Sequence, residues 1–587
     1  MKKEKVIIAN MSGFYGDRFS AAKEMIEGGP IDFLTGDYLA ELTMLILAKS
    51  QMKKPELGYA VTFLKQMEGI MGTCLDKGIK VVVNAGGLNP TGLAEALRGV
   101  AKTLQIHPKI ASIQGDNLMP RMKDLVAQGA TLTHLDTGAD FLKSGKNAVS
   151  ANAYLGCWGI VSALDKGADI VVTGRVADTS VVMGPAAHYF NWKQDDWDAL
   201  AGAATAGHII ECGGQAVGGN YSFFEEVPSF DNVGFPIAEI AADGSSIITK
   251  HQGTGGIINV GTVTAQLLYE INQPAYITPD VVAHFDTVQL KEIGTDQVEV
   301  SGVKGTPATD SAKVTINAID AFQNQMIFYL AGLHNERKAE VLKNQFLKSV
   351  GGAETFDHIN FQYIPTNKDN PQSNEEAFAT LKVVVEDKNP SKAGRLFTSK
   401  IIELALCSVP GFCIQSAPQP AKPKVVHFPA LIGKKHITQQ ISMGDKNWEV
   451  QEVAYDTSNL QLTKNFSLPD FNFDTSDTKE IYLGELYAAR SGDKGGNANL
   501  GVYAKNLKAY AFLKSYLTVE NFKNLLADSA EYEIERYDFP NLLGLNFYLK
   551  GFLGDGVAGN NKIDPQAKTL GEYLRAKKIV VPVSLFE

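Results

Sequence analysis

An α/β architecture is predicted for this 587-residue chain by three features of its first third. Short β-branched runs recur at residues 6–9, 31–34, 79–83, 110–113 and 170–172. Helical stretches lie between them, at 58–76, 92–104 and 154–166. A Gly/Asn/Asp-rich loop follows each run. Continuously apolar runs suit strands buried on both faces. Strand alternating with helix implies right-handed crossovers, so a mostly parallel sheet flanked by helices is expected.

From residue 213 the texture changes to a mixed α/β part. Residues 236–250 read as a hairpin turning at Asp243-Gly244, and 276–303 as further strands. Helical periodicity covers 316–350; then 378–385 is strand-like, 392–408 helical and 416–423 a proline-rich loop. Residues 459–479 have no clear period and form the linker candidate. A compact unit follows, with strands around 490–501, a helix over 509–526 and strands at 532–536 and 545–549. A helix over 569–576 and a strand at 579–583 complete a small α/β sandwich of ferredoxin-like order.

Composition narrows the function classes. Hydrophobic residues make up 44% and charged residues 20%, as in ordinary globular proteins. The net charge of −10, with no long basic run, argues against nucleic-acid binding. The longest apolar stretch, around 42–48, is far too short for a bilayer span, so no membrane association is expected. Five scattered cysteines without a CxxC pair indicate neither a disulfide framework nor a thiolate zinc site, and a cytoplasmic location fits best. No GxGxxG or Walker A sequence follows the first strand. No metal-ligand spacing occurs, and no cofactor is expected.

Dense polar chemistry follows each early strand. The first is followed by Ser12 and by Asp17-Arg18, the second by Asp37, with Glu41 one turn into a helix. The third is followed by Asn84, Gly86, Gly87 and Asn89, the fourth by Asp116 and the fifth by Arg175 and Asp178. In an open parallel sheet these ends share one edge, where α/β proteins bind ligands. Caps and turns explain part of this supply. They do not explain Arg18 and Arg175, which have the geometry to clamp a carboxylate or phosphate. Asp17, Asp37, Asp116 and Asp178 are acid/base candidates, and Asn84 and Asn89 are candidates to orient a carbonyl. His208 and Glu211, three apart, share a helix face as an acid/base pair or two metal ligands, or simply as a buried His bonded to its neighbour.

Near the C-terminus stands Arg490-Ser491-Gly492-Asp493-Lys494-Gly495-Gly496-Asn497-Ala498-Asn499. Glycines let a backbone turn its N–H groups toward one point. With Arg490 and Lys494 alongside, Ser491, Asp493, Gly495, Gly496 and Asn497 complete an expected anion-binding turn. The alternative is a glycine-rich hairpin whose charges face water. Set beside the strand-end cluster, the turn is expected to form a second wall of one shared site.

The stretches 12–18, 28–30, 34–44, 84–87, 173–178 and 490–499 together resemble the acyclic terpene utilisation AtuA family. The resemblance implies a large N-terminal domain, 1–458, with a sub-boundary near 213–235. A linker at 459–479 and a small ferredoxin-like domain at 480–587 follow. The family is named for bacterial breakdown of citronellol- and geraniol-type terpenes through CoA thioesters. An enzyme acting on a branched or short carboxylate or acyl-CoA, by acid/base chemistry of hydratase or lyase type, is the first expectation. A non-catalytic acyl-CoA- or acid-binding component of a catabolic complex is the second, and a metal-dependent lyase or hydrolase the third. The expected partner is a small anionic molecule; homo-oligomerisation stays open.

Overall fold

The computed structural model describes residues 3–454, 469, 471–474 and 476–586. Contacts divide the chain into two compact units. The first comprises 1–317, 427–557 and 564–587, and the second 318–426 and 558–563. Among the described residues no helix is long and apolar enough to cross a membrane.

The first unit is built on a large sheet. Its strands are β1 (Lys5–Asn10), β2 (Phe33–Gly36), β3 (Lys80–Val83), β4 (Ile110–Gln114), β5 (Ile170–Thr173), β6 (Pro236–Ala241), β7 (Ser246–Lys250), β8 (Gln289–Gly294), β9 (Gln297–Ser301), β10 (Thr438–Met443) and β11 (Lys446–Gln451). Their order is β8-β9-β7-β6-β1-β2-β3-β5-β4-β10-β11. The sheet is therefore mixed, not mostly parallel. Only its centre, β1-β2-β3-β5-β4, pairs in parallel. The flanks are hairpins such as β6–β7, and tight turns force antiparallel pairing, whereas helical crossovers deliver the next strand in parallel. The helices Val61–Lys77 and Pro90–Thr103 cover one face of the centre. Phe63, Met67, Leu93 and Leu97 there join Leu34, Val81 and Val83 in one buried cluster. Parallel pairing brings the C-terminal ends of β1 to β5 to one edge.

The C-terminal part of the first unit carries β12 (Tyr487–Lys494), β13 (Asn497–Ala504), β14 (Ile534–Phe539) and β15 (Gly544–Leu549) in the antiparallel order β12-β13-β15-β14. Tyr510, Leu513 and Phe522 pack with Leu500, Val502 and Phe547 in its core. The helix expected over 509–526 is two, Leu507–Tyr516 and Val519–Leu525. Thr518 ends the first by N-capping the second, its hydroxyl accepting from Asn521 N at 3.1 Å. Most of the expected linker, 459–468 with 470 and 475, lies outside the described residues, and the strand Thr478–Tyr482 begins inside it.

In the second unit, residues 318–331 overturn the helix expected over 316–350. They belong to a long strand, Ser311–Ala331, and only Asn335–Val350 is helical. Met326, Phe328 and Leu330 are buried at every second position, and residues 322–331 pair antiparallel with Phe378–Asp387. Period-two burial against a partner strand overrides local helical periodicity.

Candidate functional site

The glycine-rich motif is a hairpin. Lys494 pairs with Asn497, and Gly495 turns at φ +64, the left-handed region glycine enters without strain. The motif thus has the backbone of the hairpin alternative. Yet its charges do not face water. Asp493, Lys494 and Gly495 line a cavity of about 750 Å³ together with Asp17, Asp37, Arg175, Asp178 and Glu211 from the strand-end side.

The floor of this cavity is a hydrogen-bonded chain. Asp116, after β4, accepts from Arg175 N at 2.9 Å and from Asn152 Nδ2 at 2.7 Å. Arg175, only 2% exposed, donates through Nη1 to Asp178 Oδ1 at 2.7 Å and to Leu39 O at 2.8 Å. Its Nη2 donates to Tyr154 OH at 2.8 Å, and its guanidinium lies 4.2 Å from the centre of that ring. Tyr154 OH in turn donates to Glu41 Oε1 at 3.0 Å, and Lys313 Nζ pairs with the same oxygen at 3.1 Å. Burial opposes ionisation of Glu41, but Lys313, His427 and Arg175 together outweigh it and hold the carboxyl well below its usual range. This part of the site is ion-paired, and of these groups only Arg175 Nε and Asn152 Oδ1 are buried without a hydrogen-bond partner among the described residues.

The remaining acids behave differently. Asp37 Oδ1 accepts from Asn84 Nδ2 at 2.5 Å and from Leu39 N at 3.1 Å. Burial, with Asp178 nearby, raises Asp37 to about 8. Burial likewise pushes Glu211 well above the carboxylate range, and the charges of Asp178 and Asp37 add to it. Glu270 is raised to about 7 by burial, opposed chiefly by Lys494. Asp493 is driven well up by burial and then by Glu270. Several carboxyl groups thus keep protons near neutral pH. Carboxylates crowded into a poorly solvated space cannot all ionise.

Cations reach the same space. Lys568 bonds Tyr269 OH and lies 3.2 Å from Glu270 and 3.9 Å from Asp493. Lys494 differs: among the described residues its ammonium has neither a hydrogen bond nor an ion pair, and it lies 6.0 Å from the centre of the Tyr276 ring. Burial and the neighbouring Lys313 lower its basicity.

Several expected site residues serve other ends. Ser12 donates to Phe14 O at 2.9 Å. Arg18 Nη2 is taken by Glu24 at 2.6 Å and Val233 O at 2.7 Å, so it is no free clamp. Arg175 is likewise committed, to Asp178, Leu39 and Tyr154. Asn84 positions Asp37 and also accepts from Tyr38 N at 2.7 Å. Asn89 caps the helix Pro90–Thr103, accepting from Gly92 N at 2.9 Å. Gly86 and Gly87 serve close packing: added Cβ atoms would lie 2.5 Å from Thr173 O and 2.3 Å from Leu47. Asp17 lines the cavity, but its oxygens accept from Gly13 N at 2.8 Å and Arg18 N at 2.7 Å, shaping its own loop. His208 is buried against the mutually stacked rings of Tyr276 and Phe285, 3.4 Å from Glu211, and burial lowers it to about 3, so it stays neutral.

In the hairpin, Arg490 bonds Gln215 and stacks 4.3 Å from the centre of Tyr269. Ser491 Oγ accepts from Gly571 N at 2.9 Å. Asn497 Nδ2 donates to Tyr548 OH at 2.6 Å and Asp136 at 3.0 Å. An added Cβ at Gly496 would lie 2.3 Å from Gly554 O. These residues hold the turn rather than facing the cavity. Among the described residues, no three of His, Cys, Asp and Glu converge as a metal centre requires.

Glu41, Tyr154, Tyr269, Glu270, Tyr276, Lys313 and Lys568 complete the wall, and none stood among the expected site residues. Only Glu41 carried a signal, its place in the first turn of a helix beside Asp37. Glu270 adopts φ +54, a strained conformation for a non-glycine residue, and such strain concentrates at functional sites. Asn499 holds it there. Its Oδ1 accepts from Glu270 N at 2.8 Å, while its Nδ2 donates to Leu268 O at 2.7 Å and Asn546 at 2.8 Å. Asn499→Leu is expected to cost roughly 2–4 kcal/mol, because several buried polar groups lose their partners at once. A lower urea midpoint with an unchanged m-value would register it.

The model of the family described as acyclic terpene utilisation family protein AtuA matches residues 6–443. That of the AtuA ferredoxin-like domain matches residues 481–580. No curated protein and no solved structure matches the chain.

Proposed function

This chain belongs to the acyclic terpene utilisation AtuA family, and from that we propose that its cavity takes a branched or short carboxylic acid, or the acyl end of its CoA thioester. There it moves a proton to or from carbon as water is added or lost. The observation that carries this reading is the set of proton-holding acids gathered around one unpaired ammonium. A general acid must keep its proton at working pH, and a general base must sit near it. Asp37 and Glu211 meet the first condition and Glu270 the second. Lys494 is placed to face a developing oxyanion. Phe14, Leu135, Ile277 and Leu431, all exposed and apolar, also line the cavity and suit a branched alkyl chain. A volume of about 750 Å³ is ample for such an acyl group.

The test is incubation of the full chain in D2O with acyclic terpenoid acids and their CoA thioesters, followed by mass spectrometry. Deuterium incorporation or a gain or loss of water in the parent, absent in Asp37→Asn, is expected. Thermal stabilisation by the same compounds with no chemical change in them would instead favour a binding component of a catabolic complex.

A further inference from the structure

Lys494 is the unusual member of the cavity. Lys313 and Lys568, both partly buried, are each paired with a carboxylate. Among the described residues Lys494 has no such partner; it projects from a tight hairpin turn and shares its cavity with Glu270, Glu211 and Lys313. A lysine becomes a nucleophile when it is desolvated or set beside another cation, since both favour the neutral amine. Lys313, on the wall of the same cavity, meets the second condition, and partial enclosure of the turn in that cavity contributes to the first.

We propose that Lys494 forms an imine with the carbonyl of a keto acid. The inference rests on the acid/base reading of the same cavity and adds the covalent step and the substrate class. The lone pair of Nζ attacks the carbonyl carbon, and the amine proton passes to the oxygen to give a carbinolamine. The hydroxyl then leaves as water with a proton from a neighbouring carboxylic acid, Glu211 or Glu270, and the C=N bond forms. Protonated, that imine draws electrons from the adjacent carbon, whose proton the Glu270 carboxylate is placed to remove. Hydrolysis reverses the bond and restores the amine. No electrons enter or leave. Tyr276, within 6.0 Å of the amine, gives the bond a drier setting than a surface lysine has.

The probes are acetoacetate and 4-methyl-2-oxopentanoate, each incubated with the full chain and sodium cyanoborohydride at pH 7. The hydride reduces any imine to a stable secondary amine. One adduct per chain is expected, mapped by peptide mass spectrometry to a missed tryptic cleavage at Lys494. Lys494→Arg, checked for an unchanged melting temperature, should reduce that labelling at least tenfold. Adducts spread over surface lysines, equal in parent and variant, overturn the proposal. If neither acid labels Lys494 but both raise the melting temperature of the parent, the imine is excluded and the acid-binding cavity stands. If they do neither, both readings fall for these acids.

Discussion

Replacing Lys494 by methionine is expected to lower turnover by about 10³-fold or more and to leave the melting temperature unchanged or higher. The two effects part because this ammonium is desolvated without an ion-pair partner, so its charge contributes nothing to the fold that a similar apolar side chain would not. A partly buried cation without an ion-pair partner among the described residues is kept at the expense of stability, a pattern typical of sites selected for activity. Loss of an oxyanion-facing cation or of an amine nucleophile each removes transition-state stabilisation of this size. The check pairs turnover of an accepted acid with a thermal melt. A variant that turns over normally would remove Lys494 from the chemistry. One that melts many degrees lower would make it a structural residue.

The second large effect concerns Asp37→Asn and pH. In the folded protein Asp37 titrates near 8, against 3.8 ordinarily. Between about pH 4 and pH 8 the unfolded chain has lost this proton while the folded one retains it. The folded state then binds more protons, so stability falls as pH rises through that window and reaches its floor above pH 8. Asparagine has no proton to lose and keeps the oxygen that accepts from Asn84 and Leu39. Relative to the parent, Asp37→Asn should therefore be neutral near pH 4 and stabilising by on the order of 6 kcal/mol above pH 8. Urea titrations at pH 5, 7 and 8.5 decide it, and a constant difference across them would sink the idea. Activity moves the other way: removing the proton donor is expected to cost about 10²- to 10⁴-fold.

Much of the fold was legible because its signals are local. β-branched runs such as 79–83 and 170–172 sit within a residue or so of Lys80–Val83 and Ile170–Thr173. The hairpin turn at Asp243-Gly244 joins β6 to β7. The long strand Ser311–Ala331 was illegible, since its register is set by a partner some fifty residues away. Sheet direction failed for a related reason: pairing at the flanks depends on which edge is left free once the centre has formed. In the candidate site, spacing placed Asp17, Asp37, Arg175 and Asp178 at strand ends. It carried no information on which polar groups would be consumed by one another. Arg18, Arg175 and Asn89 all spend their hydrogen bonds inside the protein.

What the sequence by itself determined is the supply and its rough placement. A run of loops rich in carboxylates follows successive parallel strands, and a glycine-bearing hairpin carries Lys494. Strand period and turn chemistry act over a few residues, so these could be read in order along the chain. Only the tertiary structure decided that Lys313, Glu270 and Lys568 join them, and that Asn499 holds Glu270 in a strained conformation. It alone decided that Lys494 lacks the partner its neighbours have. The physical reason is that the protonation and pairing of a buried group depend on solvent excluded and charges approached in three dimensions. Neither quantity is a function of sequence spacing.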